Sequence, residues 1–144
     1  YGMDHDLWSK EIRPPKYPVP NFIKDILGPK LKRIASMIDC FPNDINTIDY
    51  RRQAGDSLTA HVDDRKKHKE PIANLSLVGS CYMTYRNVAS KSNTAVDKQK
   101  VLLKPRCLQI LTGKARYEYS HGIQNNDLLS DRRVSVTMRE THQK

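Results

Sequence analysis

Residues 132–140 read RRVSVTMRE. Apolar and polar residues alternate. Val134, Val136 and Met138 fall on one face, and Arg133, Ser135, Thr137 and Arg139 on the other, which is the period of a β-strand. On a half-exposed strand the polar face is simply wet. Two arginines flanking two small hydroxyls also suit a dicarboxylate. Each guanidinium can take one carboxylate bidentately, and the hydroxyls add neutral hydrogen bonds. The arginine Cα atoms would be roughly 20 Å apart at the strand rise, so the long side chains must lean inward to meet on a short ligand.

Working back from this strand, short β-prone runs recur with turn signals between them: 45–51, 57–62, 72–79, 81–86, 100–104, 107–113 and 115–121. With 132–139 they predict eight short strands and no long helix among them. That pattern points to a mainly β fold, an antiparallel sandwich or jelly roll (a double-stranded β-helix). Two polar loops, 64–70 and 89–99, interrupt the series and read as exposed. Ahead of it, NFIKDILGPKLKRIASMID (21–39) carries apolar residues at helical spacing, with Asn21 as N-cap and a break or kink at Gly28-Pro29 that would give two short helices. It predicts a short helical buttress against a sheet. EIRPPKYPVP (11–20) holds four prolines in ten positions and reads as extended. The expected organisation is a proline-rich arm over 1–20 and one domain over 21–144, with its jelly-roll core at about 45–140.

The chain has 25 Lys and Arg against 16 Asp and Glu, a net charge of +9. Such a balance favours polyanionic partners, nucleic acid or an acidic protein face. Cys40, Cys81 and Cys107 are widely spaced and form no C-x-x-C pair, which speaks against a disulfide framework or a cysteine-ligated zinc and for a reducing compartment. The sequence lacks a run of about 18 apolar residues, the length a spanning helix needs.

AHVDD (60–64) places His61 two residues before Asp63. Two such residues do not make a metal site, and the missing ligand has to come from a distant strand. His5 and His142 lie near the termini, and His68 sits in a lysine-rich loop and reads as solvated. His121 ends the run ARYEYSH before a glycine turn and is the best third ligand. His61, Asp63 and His121 would make a two-histidine, one-carboxylate facial triad, the set of non-haem Fe(II) oxygenases, which leaves three positions open. The alternative is two unrelated histidines, one at a strand end and one on a turn. A dicarboxylate beside such an iron would be 2-oxoglutarate.

Three segments together resemble the AlkB family of Fe(II)- and 2-oxoglutarate-dependent dioxygenases. LTAHVD (58–63) followed by EPIANLSLVG (70–79) is similar to its HxD strand and the next core strand. LTGKARYEYSHGI (111–123) is similar to its distal-histidine strand, including the arginine five residues before the histidine. RRVSVTMRE is similar to its closing motif. The order, spacing and residue types match from about residue 45 to 140. The resemblance implies that His61, Asp63 and His121 ligate iron. It implies that Arg133 holds the distal carboxylate of 2-oxoglutarate with Tyr50 as its phenol partner, and that Arg139 meets the carboxylate end near the metal. Ser135 and Thr137 would line the same pocket, with Leu58 and Asn74 packing near the co-substrate.

The chain also departs from the family pattern. Many members read Asn-x-Tyr where this one has Ile48-Asp49-Tyr50, and I-D-Y followed by H-x-D-D is similar to the eukaryotic branch called AlkB homologue four. The base-repairing members carry an acid two residues after the ligand aspartate, where this chain has Arg65. The implied chemistry is oxidative demethylation, releasing formaldehyde, succinate and CO2. The implied substrate is an N-methylated nucleobase in DNA or RNA, such as N6-methyladenine, with Lys66, Lys67 and Lys69 as a phosphate-contacting rim. The alternatives are N-methyl-lysine in a protein and a non-catalytic nucleic-acid-binding jelly roll. A monomer in the nucleus or cytoplasm, with no membrane partner, is expected.

Overall fold

The computed structural model describes residues 4–5, 12–13, 17–90 and 98–142. Most of the proline-rich arm and the centre of the 89–99 loop lie outside them. Within the arm, β1 (Asp4–His5) pairs antiparallel with β2 (Ile12–Arg13).

The body contains β3 (Asp44–Arg51), β4 (Leu58–His61), β5 (Ile72–Val78), β6 (Cys81–Asn87), β7 (Lys98–Leu103), β8 (Leu108–Leu111), β9 (Tyr119–Ile123) and β10 (Arg132–Arg139). They form two antiparallel sheets in the orders β3-β10-β5-β8 and β4-β9-β6-β7. Every connection from β3 to β10 crosses between the sheets except the β6–β7 hairpin. This is the expected double-stranded β-helix.

The alternation of β10 explains how the sheets stack. Val136 and Met138 pack outward against Ile23, Leu31, Met37 and Cys40 of the N-terminal segment. The polar face of β10 points inward, toward the space between the sheets. β5 behaves the same way: Ala73 belongs to the outer core and Ile72 to the inner one, which also holds Tyr50, Met83, Leu111 and Ile123. The inner face of this sheet is therefore covered by the opposite sheet, and the part of its outer face around Ala73, Val136 and Met138 by the N-terminal helical segment.

Two local expectations are corrected. The buttress stays continuous through Gly28-Pro29 and changes helical register there instead of breaking into separate helices, and Asn21 lies inside the helix instead of capping it. A π-helical turn over Ile23–Leu27 leads directly into α1 (Gly28–Leu31). Gly28 N–H bonds to the carbonyl of Ile23, and Pro29 falls in the first turn of the new register, where a missing donor leaves no gap. Residues 115–121 are not one strand either. α2 (Gly113–Tyr117) takes the chain from β8 in one sheet to β9 in the other. The tyrosines favour extended structure locally, but the crossing requires a turn there.

Candidate metal and co-substrate site

β4 ends at His61, and Asp63 follows outside the ladder. β9 pairs with β4 so that His121 lies opposite His61, with ring centroids 4.6 Å apart. One ligand atom from each of His61, Asp63 and His121 lies within 4.8 Å of the others. His61 Nδ1 is 2.8 Å from the carbonyl of Thr59. A carbonyl only accepts, so Nδ1 carries a proton and Nε2 is the ring nitrogen left to face a metal. Asp63 Oδ1 accepts from Arg139 Nε at 3.0 Å and Nη2 at 2.9 Å. Its other oxygen, Oδ2, faces His121 Nε2 at 3.5 Å.

Charge favours a cation here. Burial pushes the Asp63 carboxyl up, but Arg139 and the two histidines outweigh it and hold the group below its ordinary value. Burial pushes His121 down to about 4, against the pull of Asp63. His121 is therefore neutral at neutral pH and its contact with Asp63 is not an ion pair. The site offers a carboxylate at Asp63 and a neutral imidazole at His121, protonation states a metal requires.

One cavity between the sheets is lined by all ten residues picked out in the sequence: Tyr50, Leu58, His61, Asp63, Asn74, His121, Arg133, Ser135, Thr137 and Arg139. The His-Asp-His group lies at the Arg139 end of β10, and Arg133 lies at the other end. Arg133 is 1% exposed. Its Nη1 donates to Ser135 Oγ at 2.9 Å and its Nη2 to Ser76 Oγ at 3.3 Å. Its Cζ stands 5.3 Å from the centroid of the Tyr50 ring. Its Nε has no hydrogen-bond partner among the described residues. A buried guanidinium held by hydroxyls and an aromatic face is a receptor for an anion.

The sequence model of the 2OG-Fe(II) oxygenase superfamily matches residues 8–139. The chain belongs to that superfamily.

Within the superfamily the chain is similar to AlkB homologues. An alkylated DNA repair protein ALKBH8 homolog of Arabidopsis thaliana is 31% identical over 108 residues, 60% of this chain and 31% of that protein. The uncharacterized protein L905 of Acanthamoeba polyphaga mimivirus is 27% identical over 132 residues, covering 85% of this chain and 60% of its own length. This chain thus spans about a third of the first relative and three fifths of the second. The solved structure of OsALKBH1 superposes with a TM-score of 0.66 at 17% identity, covering 96% of this chain and 75% of that one. At that identity the likeness concerns the fold alone. The superfamily's cofactors are Fe(II) and 2-oxoglutarate. The donor set of His61, Asp63 and His121 fits the first, and the orphaned cation of Arg133 fits a carboxylate of the second.

The cavity also holds residues that the strand patterns did not single out. Ser76 is paired with Ser135 across the β5–β10 ladder, on the same face as Asn74, whose Nδ2 donates to Thr137 Oγ1 at 2.7 Å. The alternation Asn74, Ser76 was available as a signal. Asn46, Gln109 and Met83 line the cavity too. Arg139 lines the cavity and is also paired with Asp63, and its Nη1 stands 3.9 Å from Asp44 Oδ2.

Other expectations are corrected. His68 is buried, with Nε2 3.1 Å from Asp44 Oδ2, because residue 68 forms a β-bridge to Thr141 and so turns inward. Lys69 is paired with Glu140 at 2.6 Å, which leaves Lys66 and Lys67 of the expected rim. Gly122 continues the strand instead of turning. A Cβ there would lie 2.9 Å from Ala60 Cα and from the Leu58 carbonyl oxygen, so only glycine lets β4 approach β9 this closely beside the two histidines.

Proposed function

We propose that this chain is an Fe(II)- and 2-oxoglutarate-dependent oxidative demethylase of N-methylated nucleobases in DNA or RNA, N6-methyladenine among them. The observation that carries the reading is one cavity with a His-Asp-His group at one end and, at the other, a buried guanidinium with no carboxylate partner among the described residues. His61, Asp63 and His121 would hold Fe(II), and Arg133, with the Ser135 and Ser76 hydroxyls, would hold the distal carboxylate of 2-oxoglutarate. Arg139 would orient Asp63, leaving Oδ2 for the metal. When bound, this pair supplies the oxidation of an N-methyl group by O2, coupled to conversion of 2-oxoglutarate to succinate and CO2, after which the hydroxymethyl product loses formaldehyde. The protein's part is to fix the open coordination positions and exclude water.

A nucleic-acid substrate is supported by the net charge of +9. It is also supported by the exposed Arg65 and Lys66 next to Asp63 and by the name of the Arabidopsis relative. A methyl-lysine substrate is the second reading. It draws on Arg65, which stands where base-repairing relatives carry an acid and donates to the carbonyl of Tyr117. Formaldehyde release measured side by side from N6-methyladenine oligonucleotides and N-methyl-lysine peptides separates the two. Release from the peptides alone would sink the nucleobase reading. Absence of Fe(II)-dependent succinate formation on either substrate, with metal binding intact, would favour the non-catalytic module.

A further inference from the structure

Asp63 is held by a loop. β4 stops at His61, so the carbonyls that follow have no strand to accept from, and buried carbonyls need donors. One side chain supplies three of them. Arg116 Nη1 donates to the carbonyl of Asp63 at 2.9 Å, and Nη2 donates to those of Asp64 and His68 at 3.0 Å each. Arg116 is 1% exposed, and these three carbonyls accept from its two terminal nitrogens. It is carried by α2, immediately ahead of β9, so the segment that bears His121 also clamps the loop that bears Asp63. The β4–β9 ladder cannot do this job, because its register is irregular between Leu58 and His61.

We propose that Arg116 is a positioning residue of the metal centre beside Arg139, setting the Asp63 carboxylate against His121 by gathering the 63–68 loop around one guanidinium. The proposal rests on His61, Asp63 and His121 being the metal ligands. A planar fork meets carbonyls in two separate directions, whereas an ammonium is a point donor. A metal ligand must be held to within roughly 0.5 Å, and a loop achieves that only with support of this kind.

The test uses Mn(II) as the probe, bound to the metal-free protein and followed by electron paramagnetic resonance. Arg116→Lys should keep its fold while binding Mn(II) about 10–100-fold more weakly, the range for losing a group that orients a ligand. Backbone amides of residues 62–68 should exchange faster, with the sheets unchanged. In Arg116→Gly, millimolar methylguanidinium should restore Mn(II) affinity and methylammonium should not. Arg116→Lys with Mn(II) affinity within twofold of the parent would overturn the proposal. So would global unfolding of both variants, since Arg116 would then be a general structural residue. His61→Ala is the control. If it leaves Mn(II) binding unchanged, the assignment of the metal ligands fails, separately from the role of Arg116.

Discussion

Arg133 and Arg139 stand at opposite ends of one face of β10, and both are withdrawn from water. Arg139 meets carboxylates, Asp63 at 2.9 Å and Asp44 at 3.9 Å. Arg133 meets two serine hydroxyls and a tyrosine ring. A buried cation without an anion is held at a penalty of several kcal/mol after relaxation, so the fold neutralises one arginine internally and leaves the other short of a partner. The first is part of the metal centre's scaffold. The second is suited to an anion that arrives from outside.

The comparison breaks most readily at the Arg139 end. Arg139→Met leaves Asp63 buried without its main counter-charge, and removing one member of a buried pair costs about 3–5 kcal/mol. Urea unfolding of the metal-free variant should show that loss. A divalent cation replaces the missing positive charge, so Mn(II) should stabilise the variant more than the parent. A variant that unfolds like the parent would mean that Arg139 is not neutralising Asp63.

Acid should attack the same end and spare the other. His121 has a folded pKa of about 4, below its ordinary value of 6.5, so the unfolded chain takes up that proton first. Its contribution therefore falls as pH drops from 6.5 towards 4 and is level below that, a loss on the order of 3 kcal/mol. Asp63 is depressed as well, so its contribution disappears only at still lower pH, as the folded carboxyl protonates. At the Arg133 end, burial raises the Tyr50 phenol above its ordinary value, and that group stays neutral throughout. Arg133→Met should thus keep the parent's acid profile between pH 6.5 and 4, measured by urea unfolding across that range. A flattened profile would couple the two ends.

In Arg133→Met, the metal-free protein should be as stable as the parent or slightly more so, because an unpaired buried cation is removed. What disappears is the response to 2-oxoglutarate. A ligand at 100 times its Kd stabilises by about 2.7 kcal/mol; the parent should show this in a thermal melt and the variant should not. The KM for 2-oxoglutarate should rise about 100-fold, equivalent to the loss of one charge-assisted pair. Destabilisation of the metal-free variant would show that Arg133 is satisfied without an external anion.

The contrast was only partly legible in the sequence. The alternation of residues 132–139 placed both arginines on one face, and the strand positions of Tyr50, Leu58 and Asn74 brought them to the same cavity. Strand period alone accomplishes that once the fold is a jelly roll. It does not say which arginine is paired, because Asp63 leaves its strand and Asp44 comes from the far end of β3. His68 was misread for a related reason. It lies among lysines that suggest solvent and is buried by a bridge that tertiary structure alone creates, as the burial of Arg116 follows from the crossing between the sheets. The HxD pattern was visible, but the clamp that holds its aspartate was not.

Ser76→Ala gives the smallest expected effect and the finest discrimination. Ser76 Oγ accepts from Arg133 at 3.3 Å, a longer bond than the 2.9 Å to Ser135. Its removal strands one buried donor and should destabilise the metal-free protein by about 1 kcal/mol. With 2-oxoglutarate bound, the carboxylate can take up that donor, so the KM should shift by less than about threefold. Loss of co-substrate response as large as in Arg133→Met would mean that the serines hold the guanidinium in place and that its position, more than its unmet charge, makes the receptor.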